Sequence, residues 1–290
     1  MSTTIPETIA EPVVLYDLPE NEYHAHRDSL SASGAKWLAP PNPCPAKFIW
    51  HRDNPTESKA FDLGHVAHRL VLGAGNEFEV LVDDEGEPYK SRLSKAAQAL
   101  DGDLRDAGKV PVLQKDLDEA RAMAEAVVAD PIAGSLFVDG SPEVSLFWPD
   151  AETGVTRRAR LDWLRNQRDG RRIIGDLKTA RSASPYTFGK SAADFGYAIA
   201  AANYVDGVKA CGLDDDPLFL FAVVEKEPPY VVTVLQAPDD VIELGRGLMR
   251  AALRTYAECQ EKDAWPGYLT TIGELELPGY FTYRVEEAIA

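Results

Sequence analysis

The segment from Asp162 to Lys178 constrains this chain more than any other. Two apolar-rich runs, Val155 to Leu164 and Arg171 to Leu177, flank a polar turn, Asn166 to Gly170, that contains Asp-Gly. Runs of this kind joined by an Asp-Gly turn specify a β-hairpin. Side chains alternate on a strand, so Asp176 and Lys178 share a face while Leu177 points the other way into a core. Asp162, late in the first strand, can lie across the hairpin from them. An acid and an amine are thus held side by side with a second acid near, and clustered acids are costly until something neutralises them. Oxygen ligands of this type suit magnesium or manganese. A single Asp-x-Lys is commonplace on a surface hairpin, so the rest of the chain must decide its meaning.

A chain of 290 residues can bury a sizeable core, as one large domain or two small ones. Its 45% apolar and 27% charged residues are ordinary for a soluble globular protein. No apolar run is long enough to span a membrane. The first residues, MSTTIPETIAEPVV, lack the basic start and apolar core of a signal peptide, which predicts a cytoplasmic protein. Cys44, Cys211 and Cys259 are widely separated and odd in number, so neither a disulfide framework nor a four-cysteine metal site follows. The net charge of −17 argues against binding nucleic acid over the whole surface. A local basic channel stays open, because Arg157, Arg158, Arg160, Arg165, Arg168, Arg171 and Arg172 all crowd the acidic hairpin.

Residues 1–20 read as a flexible arm and 21–290 as one domain with a helical N-terminal part; no linker divides it. Ser31 or Ser33 can cap a short helix that the prolines from Pro40 to Pro45 end. His24, His26 and His51 read as surface residues. Lys59 to Leu72 has the apolar spacing of a buried helix, with His65 and His68 roughly on one face and Gly64 permitting close backbone approach. Residues 76–90 are acidic and turn-rich, and 91–131 are mostly helical. A strand opens at Pro142, on which Glu143, Ser145 and Phe147 alternate with Val144, Leu146 and Trp148. After the hairpin come an Ala-rich helix in two pieces around Gly196, strands at Leu218–Glu225 and Tyr230–Gln236, and a long helix from Asp239 to Glu261. The tail carries Trp265, Tyr268, Tyr280, Phe281 and Tyr283, which can dock on the body or on a neighbouring subunit. This order predicts an α/β fold with a central mixed β-sheet flanked by helices.

Glu143, Asp162, Asp176 and Lys178, with His68 upstream, resemble the PD-(D/E)xK nuclease superfamily, whose last motif is Glu-x-Lys or Asp-x-Lys on the second strand of a hairpin. Gly64-x-x-x-His68 is similar to the Gly-x-x-x-His helix of RecB-like nucleases. Asp176-Leu177-Lys178-Thr179, followed by Ser182-Ala183-x-Pro185, resembles a run of the RecE type, also called exonuclease VIII. So do Gly196-Tyr197 through Tyr204-x-Asp206-Gly207 and Glu225-Lys226-x-Pro228-Pro229-Tyr230. The resemblance covers roughly residues 20 to 270. In one place it departs: Ala200 stands where that group has Gln, which bears on a substrate contact rather than on a metal site. Ser31 to Pro45 also looks like the start of RecB-like nucleases that carry an iron–sulfur cluster. Those need three further cysteines near the C-terminus, where this chain has Cys259 alone, so no cluster is expected.

The resemblance implies a restriction-endonuclease-like core and a phage-derived, metal-dependent exonuclease. Such an enzyme degrades one strand of linear duplex DNA, from the 5′ end, leaving a 3′ tail for a single-strand annealing protein. It implies one or two magnesium or manganese ions on Asp162, Asp176 and the Leu177 carbonyl, with Glu143 and His68 as further ligands. Lys178 would hold or deprotonate the attacking water or offset developing charge. Arg158, Arg160, Thr179, Ser182 and Tyr204 are expected to contact DNA. A homo-oligomeric ring with an acidic outside and a basic channel would reconcile DNA binding with the net charge. Two other readings stand beside this one: a PD-(D/E)xK nuclease that cuts internally or processes single strands, and a non-catalytic DNA-end-binding protein on a decayed nuclease fold.

Overall fold

The hairpin read from the sequence forms the middle of a seven-stranded mixed sheet. The computed structural model describes residues 4–54, 59–168 and 170–277, together with 279, 285 and 289. The N-terminal part contains β1 (Val13–Leu15), α1 (Glu20–Ala25), β2 (Ser29–Leu30), α2 (Ala32–Ala35), α3 (Pro45–Asp53) and α4 (Lys59–Leu72). Next come β3 (Phe78–Val80), α5 (Lys95–Asp106), β4 (Val110–Val112), α6 (Gln114–Ala129) and α7 (Ala133–Leu136). The central run is β5 (Gly140–Pro149), β6 (Thr156–Arg168), β7 (Arg171–Ala180), α8 (Pro185–Phe195), α9 (Tyr197–Ala210), β8 (Leu218–Glu225), β9 (Val232–Gln236) and α10 (Asp239–Lys262).

The strand order is β1-β5-β6-β7-β8-β9, with β2 added to β6, while β3 and β4 pair separately. β5, β6 and β7 are antiparallel neighbours, but β7 and β8 run parallel. A parallel pair needs a crossover, and α8 and α9 supply it. The chain breaks between these two helices at Gly196, whose φ of 70° suits glycine, as the two-piece reading of this helix requires. Ala201, Ala202, Val205 and Val208 of α9 pack on one sheet face, against Val144, Leu146, Leu161 and Phe219. Val66 and Ala67 of α4, with Leu117, Ala120 and Met123 of α6, cover the other face over Leu177, Ala222 and Val224. Leu177 is fully buried there. Its burial stabilises the fold by roughly 1.5–3 kcal/mol and fixes its two neighbours on the opposite face.

Several expectations change. Residues 1–20 are not a flexible arm from Val13 onward, because β1 pairs antiparallel with β5, and Leu15 and Leu18 are buried beside Phe147. The hairpin strands extend further than their apolar runs. β6 reaches Arg168, pairs with Arg171, and takes up Asn166 and Gln167 in a register shift, so the turn is shorter than Asn166 to Gly170. Asp169 lies outside the described residues. His26 stacks edge-on against Phe147, and His51 stacks on Trp37 at 4.4 Å, so neither is a free surface residue. Trp265 stacks on Phe48, and the Tyr268 hydroxyl accepts a hydrogen bond from Lys47, which docks the start of the tail on the body. Tyr280, Phe281 and Tyr283 lie outside the described residues. Among the described residues no helix is long and apolar enough to cross a membrane.

Candidate active site

β6 and β7 stay paired as far as Trp163 and Gly175 and then part. Beyond that point β7 keeps its bonds to β8 on one side and loses its β6 partner on the other. The backbone groups freed by this fork must find other partners. Asp162 supplies one: its Oδ2 accepts the Leu177 N–H at 2.9 Å. His68 supplies the other: its Nε2 donates to the Leu177 carbonyl at 2.7 Å and lies 3.7 Å from Asp162 Oδ2. Gly64 lets α4 come close enough for this. A Cβ there would sit 3.4 Å from Thr179 Oγ1, at the limit of ordinary contact.

Asp176 and Lys178 face the same way, as the strand period requires, and pair directly, with Lys178 Nζ 2.5 Å from Asp176 Oδ2. The Asp176 side chain is 1% exposed and that of Lys178 is 24% exposed. That Oδ2 makes no hydrogen bond of acceptable geometry, so the ammonium is close to it but does not satisfy it directionally. Lys178 also lies 5.4 Å from the centre of the Tyr197 ring, at the start of α9. Burial raises Asp162 well above the ordinary carboxylate range, and the charge of Asp176 adds to it. Burial works to lower Lys178, but the charges of Asp176 and Asp162 outweigh it and hold the amine protonated above its ordinary value. Burial and then Lys178 lower His68 from its ordinary value, against the Leu177 hydrogen bond and the charges of Asp176 and Glu143, which raise it.

Glu143 stands opposite Asp162 in the β5–β6 register, between the pairs Pro142–Trp163 and Val144–Leu161. Its carboxylate binds Arg160 Nε at 2.5 Å, and burial raises its pKa, with Asp162 contributing. A cavity of about 200 Å³ opens here, with Glu20, His65, His68, Glu143, Arg160 and Asp162 on its wall. The fork thus brings together His68, Glu143, Asp162, Asp176, Leu177 and Lys178. Sequence reasoning missed Glu20 and Tyr197 as members of it. Tyr197 directly follows the helix break at Gly196, which was the available signal, whereas Glu20 had none.

The expected DNA contacts divide. Arg158 donates to the carbonyls of Tyr23 and His26, and Arg160 to that of Leu18, so both turn into the protein and are not free for phosphate. Arg157 is buried, bound to Asn203 and Asp206, so three of the arginines read as a basic channel serve the fold. Tyr204 is half-buried against Phe219, and burial, followed by the charges of Asp176 and Asp162, raises its hydroxyl well above the ordinary value. Ser182 closes a local turn by accepting from the Ser184 N–H, and Thr179 lies under Gly64.

Among the described residues no group of three or more His, Cys, Asp or Glu side chains stands ready to ligate one ion. The donor chemistry nevertheless fits a hard divalent cation: Asp162 is a buried carboxylate raised by burial and then by the charge of Asp176, and the buried Asp176 has an oxygen lacking a well-formed hydrogen bond. His68 fits less well as a ligand, because its Nε2 is spent on Leu177.

Residues 31–276 match the family described as a PDDEXK-like domain of unknown function, DUF3799. The chain belongs to this family. Its fold, a mixed sheet flanked by helices with the acids at a strand fork, is that of the PD-(D/E)xK nuclease superfamily. Among solved structures, a candidate exonuclease from Eubacterium rectale superimposes with a TM-score of 0.60 at 12% identity, over 91% of this chain and 96% of that one. At that identity the likeness concerns the fold. SSO0001 superimposes with a TM-score of 0.38 at 11% identity over 81% of this chain and 80% of that one, too distant to carry any argument. Comparison with curated proteins gives no significant match.

Proposed function

We propose that this PDDEXK-like chain is a divalent-metal-dependent exodeoxyribonuclease of the RecE type. It would hydrolyse one strand of linear duplex DNA from the 5′ end and leave a 3′ tail for a single-strand annealing partner. The observation that carries the reading is the fork at Trp163 and Gly175, which gathers two buried acids and a protonated lysine at one point of a nuclease fold. Asp162 and Asp176 would hold a divalent ion, which when bound activates water and offsets phosphate charge. Lys178, kept protonated by its acids, places a positive charge and a hydrogen-bond donor where the phosphate gains negative charge. A role as general base fits it less well. His68 and Asp162 hold the Leu177 peptide, which fixes the position of both Asp176 and Lys178.

The RecE assignment draws support from the motifs at Asp176–Pro185, Gly196–Gly207 and Glu225–Tyr230. A homo-oligomeric ring would keep a chain of net charge −17 on its polyanionic substrate by confining it. The test is digestion of linear duplex labelled at either 5′ end, beside covalently closed circular duplex, in magnesium. The reading expects early loss of 5′ label as short products and an intact circle. Nicking of the circle would make the chain an internally cutting nuclease. Retention of label in all metals, with binding to ends, would make it a non-catalytic end-binding protein.

A further inference from the structure

Glu143 has a φ of 52° in the middle of β5, a conformation that side chains other than glycine rarely adopt. It sits where the β5–β6 ladder is interrupted, between the pairs Pro142–Trp163 and Val144–Leu161, close enough to Asp162 for the two acids to repel. Something must hold Glu143 in that place. Arg160, two residues before Asp162 on the same face of β6, binds it through Nε at 2.5 Å. Arg160 is itself held: its Nη1 donates to the Leu18 carbonyl at 2.9 Å and to Ser145 Oγ at 3.2 Å, and its guanidinium lies 5.6 Å from the centre of the Tyr23 ring. Tyr23 is buried, fixed against Phe147 at 5.8 Å, and its carbonyl takes Arg158. The segment supplying Leu18 and Tyr23 lies ahead of residue 31, where the family match begins.

We propose that Arg160 is a positioning residue of the site and that the segment from Leu18 to Tyr23 is the clamp that reserves it for Glu143. Left loose, a guanidinium beside a phosphodiester would form a bidentate pair with the phosphate, its strongest available partner, and release Glu143. With Nη1 shared between the Leu18 carbonyl and the Ser145 hydroxyl, Nε on Glu143 and its face toward the Tyr23 ring, Arg160 keeps the carboxylate beside Asp162. The N-terminal segment therefore forms a wall of the catalytic cavity, to which Glu20 also contributes. This inference rests on the nuclease reading for its catalytic consequence, but the Arg160–Glu143 coupling can be measured without it.

The test is a cycle of Arg160→Met, Glu143→Gln and the double variant in the full chain, with Arg160→Lys as a milder change. Thermal unfolding, manganese binding by calorimetry, duplex binding in calcium and magnesium-dependent hydrolysis are read for each. Arg160→Met should lower kcat by about 10²-fold, the scale of a misplaced catalytic group, with duplex affinity and its salt dependence unchanged. In the Glu143→Gln background the same change should add little, both to kcat and to the fall in Tm. Additive effects, or a duplex affinity that falls with a salt slope smaller by about one phosphate contact, would overturn the proposal and return Arg160 to DNA binding. If the wild-type protein cleaves nothing, the nuclease reading fails. The stability and manganese cycles then decide the positioning claim: coupling supports it and additivity overturns it.

Discussion

Replacing Lys178 with methionine keeps the length of the side chain and removes its charge. In the metal-free protein Asp176, 1% exposed, then loses the ammonium 2.5 Å from its Oδ2 and keeps Asp162 as a neighbour. Removing one partner of a buried ion pair costs about 3–5 kcal/mol, because the other charge is left uncompensated. Lys178 is about a quarter exposed, so its pairing was partly weakened by solvent. A cost of roughly 2–3 kcal/mol is the better expectation. For a chain of this size that is a fall in Tm of roughly 3–5 °C. The assay is thermal unfolding in EDTA and in excess manganese. Manganese should raise the Tm of Lys178→Met by more than it raises that of the wild type, since a cation beside the carboxylates takes over the neutralising role. Asp176→Asn combined with Lys178→Met should be more stable in EDTA than Lys178→Met alone, because no buried unpaired charge remains there. If Lys178→Met melts within about 1 °C of the wild type and manganese shifts both equally, the acids are not charge-strained and the reasoning fails.

Three further expectations follow from the geometry. His68→Ala should lower cleavage by about 10-fold or more by freeing the Leu177 carbonyl, whereas His65→Ala, on the cavity wall but away from that peptide, should change it less; the reverse order in a steady-state assay contradicts the assignment. Gly64→Ala should be tolerated, while Gly64→Leu should push α4 off Thr179, costing about 1–3 kcal/mol by chemical denaturation and weakening catalysis with it; equal stability of the two variants would show that close approach there is unimportant. Asn203→Ala should cost about 1–3 kcal/mol in urea unfolding, since it strips an acceptor from buried Arg157, with metal binding unaffected; a neutral effect would mean that Asp206 and Asp150 suffice for the guanidinium.

The parts of the site that follow the strand period were legible in the sequence. Asp176 and Lys178 share a face because they are two apart, Leu177 is buried because it lies between them, and the fork hairpin carries its Asp-Gly signal. The α4 helix and the break at Gly196 were legible for similar local reasons. What was not legible depends on distant parts of the chain. β1 and β2 are three and two residues long and become strands only by docking on β5 and β6. Arg158 and Arg160 read as DNA contacts, since nothing in their own neighbourhood reveals that the carbonyls of Leu18, Tyr23 and His26 wait for them across more than a hundred residues. The strained backbone at Glu143 has no sequence signal either, because glutamate has no preference for that conformation.

The measurement that bears most directly on the central claim is manganese calorimetry beside hydrolysis of end-labelled linear duplex, on the wild type, Asp176→Asn and Lys178→Ala. In the wild type, EDTA should abolish cleavage, and magnesium or manganese should restore it. Asp176→Asn should lose both manganese binding and cleavage. Lys178→Ala should keep manganese bound, or bind it slightly more tightly for want of a nearby positive charge, while cleavage falls about 10²-fold or more. Wild-type cleavage undiminished in excess chelator, or near-normal turnover by Lys178→Ala, would contradict a metal-dependent site built on Asp162, Asp176 and Lys178.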